Sequence, residues 1–216
     1  MNNVRPIPKA TNERSEATRR RLIEAGMSLF GINGFEATTT RALADAAGAN
    51  LAAIPYHFGG KDGLYRAVAQ AVVDDLGTHM DGFLDNVQQE IDAGITSPAQ
   101  ATSLIESMMN DFSQVVLINP ESENWMTFLL REQMDPTEAF TILYDSPIKR
   151  MRGMFHILLG KIMGLEPDNV RIKLLGIELL GLISVFRVAR ASTLREMGWA
   201  AIDEAAYAEI RKVILD

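Results

Sequence analysis

Apolar residues recur along most of the chain at spacings of three and four, the period of a helix with one buried face. Over residues 64–92 the set Val68, Val72, Leu76, Met80, Phe83, Leu84, Val87 and Ile91 predicts one long amphipathic helix. Residues 98–118 predict a second, carrying Met108, Met109, Phe112, Val115 and Val116 and stopped by Asn119-Pro120. A third covers 122–133, with Trp125, Phe128, Leu129 and Leu130. A short element at 136–144 follows, then a helix from Pro147 to about residue 165, where a proline in the first turn costs little. Residues 169–194 read as one strongly apolar helix and 203–215 as an amphipathic end helix. Upstream, Ser15 is a candidate N-cap for a helix to Phe30 that buries Leu22, Ile23, Gly26, Met27, Leu29 and Phe30, with residues 31–34 ending it and Phe35 plugging a small core. No run alternates with the period of a strand and no repeat is found, so the expected fold class is all-α.

The stretch from Thr38 to Leu64 is different in texture. Thr38-Thr39-Thr40 offers hydroxyl oxygens to the first free N–H groups of a helix, whose buried face is Leu43, Ala46 and Ala47. Gly48 falls where that helix must stop, because glycine enters the left-handed region without strain. Asn50 is a second N-cap, followed by Leu51-Ala52-Ala53-Ile54. Helix, short glycine turn and helix is the plan of a helix-turn-helix, which sets its second helix in a DNA major groove. Pro55 removes one backbone donor from that second helix, which predicts a short or bent element. Gly59-Gly60 then permits a sharp turn and leaves free N–H groups at a helix start. With Lys61 beside it, such a start attracts an anion, and a DNA phosphate fits; a plain helix corner with a solvated lysine fits as well.

Composition narrows the function. The 216 residues are 47% hydrophobic and contain no cysteine, so disulfides, thiol nucleophiles and Cys-type zinc sites are excluded, in keeping with a reducing cytoplasm. The N-terminus has no apolar run of a signal peptide. The longest apolar stretch, 174–186, is broken by Glu178 and falls short of the roughly 20 residues a spanning helix needs. The net charge of −7 alone argues against nucleic acid. Its distribution argues for it: residues 1–66 carry nine Lys/Arg and six Asp/Glu, or +3, and residues 67–216 carry 12 and 22, or −10. The basic part coincides with the helix-turn-helix. Arg19-Arg20-Arg21, near a helix N-terminus where cations are disfavoured, suits a nearby phosphate or a solvated face. His57, His79 and His156 are scattered, and no HExxH, phosphate loop or nucleophile–base pattern occurs. Neither catalytic residues nor metal ligands nor a cofactor are expected, and an all-α enzyme is the disfavoured rival.

Gly34-Phe35, Thr38 to Arg41, Ala47-Gly48, Tyr56-His57-Phe58 and Lys61 with Leu64 stand in one register. In that combination, residues 17 to about 68 resemble the DNA-binding domain of the TetR family of transcriptional regulators. Arg131-Glu132-Gln133-Met134-Asp135-Pro136-Thr137, the FRVAR run at 186–190, and Gly198-Trp199 ahead of Ile202-Asp203-Glu204 resemble the CecR-like branch of that family. The resemblance implies a flexible arm at 1–14, a three-helix DNA-binding domain at 15–66 and a larger helical ligand-binding and dimerisation domain at 67–216. It implies a homodimer that reads a palindromic operator on double-stranded DNA, most often as a repressor, and that a small-molecule effector releases. The long helix from Leu64 would transmit the effector's signal. It further implies Thr39, Thr40 and Arg41 near phosphates, Asn50, Ala52 and Ala53 towards base edges, and Tyr56, His57 and Lys61 on the backbone. Alanines can offer only methyl contacts, for example to thymine, which leaves Arg41 as a candidate for direct readout.

Ligand cavities are mostly apolar with a few fixed polar groups. Met108, Phe112, Trp125, Phe128 and Phe155, with Arg131 as the polar group, are the candidates; the same spacing serves an ordinary core, and Arg131 could instead pair with Glu132 or Glu178. The dimer surface is expected on 174–190 and the last helix, through Leu174, Ile177, Gly181, Leu182 and Val185, with Gly176, Gly181 and Ser184 allowing close approach. A DNA-binding regulator governed by a protein partner instead of a small molecule is the alternative.

Overall fold

The computed structural model describes residues 9–215. Among them are eleven helices and no strand: α1 (Lys9–Ala37), α2 (Thr40–Ala46), α3 (Ala53–Phe58), α4 (Lys61–Ala93), α5 (Pro98–Leu117), α6 (Ser122–Met134), α7 (Ala139–Tyr144), α8 (Pro147–Met163), α9 (Val170–Val188), α10 (Arg190–Met197) and α11 (Glu204–Leu215). The chain divides into two compact units. The first runs to Val73 and takes in Glu123–Leu143; the second comprises Asp74–Ser122 and Tyr144–Asp216. The division falls inside α4 after Val73, at the start of α6 and ahead of the last residue of α7.

Two expectations change. The first helix begins at Lys9, not Ser15, and reaches Ala37 with a break at Gly34, whose φ of 82° only glycine adopts comfortably. Residues 9–14 are therefore helical, and the remainder of the expected arm, 1–8, lies outside the described residues. By packing, residues 123–143 group with the N-terminal part. The apolar run expected as one helix over 169–194 is two, because Ala189 (φ −97°, ψ 24°) leaves helical geometry.

In the first unit, α1, α2 and α3 close over Leu22, Phe30, Leu43 and Ile54, all fully buried. Tyr65 of α4 is the hub of an aromatic cluster: its ring lies edge-on to Phe30 at 4.7 Å and to Phe35 at 4.9 Å, and 5.1 Å from Phe128. Such tilted pairs add to area burial. Gly26 lets α1 and α4 meet closely, since a Cβ there would stand 2.8 Å from Val68 Cγ2.

The second unit packs α5 against α8, α9 and α11 around Met108, Phe112, Met151, Phe155 and Ile183. Ser97 and Ser146 cap α5 and α8 through hydroxyls that accept from Gln100 and Ile148 N–H groups. Arg187 of α9 reaches the carbonyl of Val116 at 2.7 Å and donates to the buried Ser122 hydroxyl. This ties the end of α9 to the end of α5, and it accounts for the arginine inside the apolar FRVAR run.

Candidate nucleic-acid interface

The head of the first unit is built by local signals. Thr39 is the N-cap of α2, its hydroxyl accepting from Ala42 N–H at 3.1 Å. Thr38, buried beside it, donates to the carbonyl of Gly34 at 2.7 Å and so holds the break in α1. Gly48 (φ 56°) closes α2. Asn50 then accepts from Ala52 N–H at 2.9 Å, and its carbonyl accepts from Ala53 N–H, which forms a turn that leads into α3. Pro55 sits third in α3, where its missing N–H is one of the donors a helix start leaves unpaired anyway. The helix is short, six residues, and ends at Gly59 (φ 75°).

What this arrangement presents to solvent is specific. Thr39, Arg41, Asn50, Ala52 and Tyr56 are exposed, and Thr40, Ala53, His57 and Lys61 are half-buried. Tyr56 is 80% exposed, far beyond what a core tyrosine shows, and its ring meets His57 edge-on at 4.9 Å. Leu51, half exposed on the same segment, was not singled out in the sequence. It lies ahead of α3, outside the helix that buries Ile54. Lys61, first residue of α4, lays its ammonium 4.2 Å from the centre of the Phe35 ring and donates to the Glu36 carbonyl at 3.4 Å. Of the basic run on α1, Arg19 stacks over Phe58 at 5.5 Å, Arg20 is exposed, and Arg21 donates to Thr18.

The residues expected to line a ligand pocket are divided between the two units. Met108, Phe112 and Phe155 are buried in the second unit, and Trp125, Phe128 and Arg131 belong to the first. Arg131 pairs with neither Glu132 nor Glu178. Its Nε donates to the Gly31 carbonyl and its Nη2 to the Ile32 carbonyl, each at 2.9 Å. The indole N–H of Trp125 is buried and finds no acceptor. Among the described residues no group of three or more His, Asp or Glu could hold a metal ion, and no helix is long and apolar enough to cross a membrane.

On α9, Leu174, Ile177, Gly181, Leu182 and Val185 are all exposed, together with Val170 and Val188. Gly181 faces open space, whereas Gly176 does not: a Cβ there would stand 3.0 Å from His156 Cδ2. Gly176 therefore serves the contact of α9 with α8, not an external surface. His156 is pushed towards its neutral form by burial, with Lys173 and Arg152 adding to the effect.

A short helix held exposed beyond a glycine-closed turn, on a helical body, defines a helix-turn-helix transcriptional regulator. The chain belongs to the TetR family: residues 22–68 match the family of bacterial regulatory proteins of the tetR type, and residues 101–216 match the C-terminal domain of the HTH-type transcriptional dual regulator CecR. The CecR protein of Shigella flexneri is 30% identical over 191 residues, covering 88% of this chain and 85% of its own length. The transcriptional repressor KstR2 of Rhodococcus jostii (strain RHA1) is 27% identical over 116 residues, covering 54% of this chain and 55% of its own. Among solved structures, AibR in complex with isovaleryl coenzyme A and operator DNA has the same fold, with a TM-score of 0.62 at 16% identity over 92% of this chain and 96% of that one.

Proposed function

We propose that this regulator works in the cytoplasm as a homodimer that occupies a palindromic operator, represses transcription there and is released by a small-molecule effector. The dimer rests on α9. Val170, Leu174, Ile177, Gly181, Val185 and Val188 recur at helical spacing and are all exposed. A continuous apolar stripe of this kind on a soluble protein calls for a partner, and a second copy buries it symmetrically. In the head, Thr39, Thr40 and Arg41 meet phosphates at the start of α2. Asn50, Ala52 and Ala53 face base edges, with Leu51 added to the apolar part of that face. Tyr56, His57 and Lys61 hold the DNA backbone.

One observation carries the effector: the buried indole N–H of Trp125 without an acceptor. An unmet buried donor costs about 1–3 kcal/mol, and a bound molecule bearing a carbonyl or carboxylate would satisfy it. AibR is known with an acyl coenzyme A and operator DNA together, which supports a small molecule over a protein partner. Repression is the activity that KstR2's name states.

The test uses the Trp199→Phe variant, in which Trp125 is the remaining tryptophan. A compound library is screened for displacement of labelled operator, and each hit is titrated against Trp125 emission. An effector shifts that emission and releases DNA at the same concentration; release with no change at Trp125 removes this residue from the effector site.

The backbone contacts have their own signature. Lys61→Ala is expected to weaken binding to all sequences alike and to reduce the slope of log affinity against log salt by about 1. Tyr56→Ala, which removes no charge, is expected to weaken binding with the slope unchanged. Filter binding at four salt concentrations checks both, and an unaltered slope for Lys61→Ala excludes its phosphate contact.

A further inference from the structure

The last turns of α6 are tied into the reading head by two adjacent residues of opposite charge. Arg131 bridges the carbonyls of Gly31 and Ile32, just ahead of the break in α1 at Gly34. Glu132 is fully buried, and its carboxylate accepts from the Tyr65 hydroxyl of α4, from Thr137 N–H at 3.0 Å and from the Thr137 hydroxyl. Burial, reinforced by Glu132, pushes the Tyr65 hydroxyl above the ordinary range of a phenol, so it stays a donor. One turn earlier the backbones themselves meet: a Cβ on Gly31 would stand 3.1 Å from Phe128 N and 3.3 Å from Thr127 Cγ2. Thr127, Phe128, Arg131 and Glu132 thus form one face of α6 against α1 and α4, and residues 123–143 cluster with the head.

We propose that Arg131 and Glu132 are positioning residues that make α6 and the loop after it respond to DNA held by α2 and α3. The physical reason is the choice of anchor points. Arg131 holds carbonyls next to the one non-helical residue of α1, and that break is itself pinned by Thr38, which immediately precedes the α2 N-cap. Glu132 holds Tyr65, the centre of the aromatic cluster on which α1 and α4 rest. A guanidinium forked onto two carbonyls is held by its two-pronged geometry, and the buried carboxylate of Glu132 cannot slide without leaving buried polar groups unpaired, so both transmit displacement. DNA that fixes α2 and α3 should therefore quieten 123–143. The proposal needs only that the head binds DNA, and is independent of the effector and of repression.

Hydrogen–deuterium exchange of the full-length protein tests it, with and without a duplex that the wild type selects from random DNA. In the wild type, DNA should slow exchange in both 39–61 and 123–143, by about 5-fold or more, the lower range of coupling between sites. In Arg131→Met, which keeps an apolar stem, protection of 39–61 should persist while that of 123–143 falls away. Arg131→Lys, with one ammonium in place of a two-pronged fork, should be intermediate, and Glu132→Gln should resemble Arg131→Met. Three results overturn the proposal: no DNA-dependent protection of 123–143 in the wild type; equal protection there in Arg131→Met; or loss of protection in both segments together, which would make Arg131 a general support of the head.

Discussion

Leu182→Glu is expected to break the proposed dimer into monomers and to lower operator affinity by two orders of magnitude or more. Leu182 lies on the exposed apolar side of α9, with Val185 beside it and the open backbone of Gly181 before it. A carboxylate buried between two copies of such a stripe would lack a partner, and an unpaired buried charge costs several kcal/mol. In the monomer the same glutamate is solvated and costs little. The equilibrium therefore moves through the associated state alone. Losing the dimer also unlinks the two heads. Joining two binding modules raises avidity by roughly 10²–10⁴ over either alone, and that factor is what the variant should forfeit. Sedimentation velocity reads the mass and circular dichroism verifies that the helices persist. A dimer of wild-type stability would place the interface elsewhere, and Leu182→Ala, which leaves no charge, should remain largely dimeric.

Gly63→Ala is expected to abolish specific DNA binding while leaving the dimer intact. Gly63 is in the first turn of α4, and a methyl group there would overlap the carbonyl oxygen of Phe58, the last residue of α3. Backbone cannot yield as a side chain can. The corner between α3 and α4 must open, and it turns on Gly59 and Gly60, whose positive φ values of 75° and 140° leave little other freedom. The recognition helix is six residues long and has no further turns to absorb the shift. Gly82→Ala, on an exposed part of α4 with open space around it, is the matched control and should be neutral or slightly stabilising, by up to about 1 kcal/mol. Gel shift and sedimentation on the two variants separate the head from the body. Binding by Gly63→Ala within threefold of wild type would show that the corner is more compliant than its geometry implies.

How much of this was legible in the sequence depends on the reach of each interaction. The head is written in local chemistry. Thr39, Gly48, Asn50 and Gly59 act on neighbours two to four residues away, and the structure uses Thr39 and Gly48 as their residue types suggest. Asn50 shows the limit of that reading, since it caps the turn before α3 and α3 itself starts at Ala53. The long helices follow from periodicity, but their ends follow less well. The cap-type residues Thr11, Asn12 and Ser15 all lie inside α1, which starts ahead of them at Lys9, and Ala189 has no helix-breaking character of its own.

The contacts of Arg131 were beyond reading. Its partners are backbone carbonyls about one hundred residues away, and carbonyls leave no trace in a sequence. Charge patterning offered Glu132 and Glu178, both reasonable and both incorrect. Gly176 and Gly181 carry the same lesson: two small residues five apart on an apolar helix look alike, and only the packing of His156 shows that one faces inward.

The central claim is that two copies of this head, held by one dimer, read two related half-sites. Selection of bound duplexes from random DNA by the full-length protein tests it most directly, followed by the stoichiometry of the complex on the winning sequence. The expected result is an inverted repeat whose half-site centres lie one helical turn apart, about 34 Å, or a multiple of it, with two chains or a multiple of two on each duplex. A single unrepeated motif bound by one chain, or no enrichment at all, would contradict it.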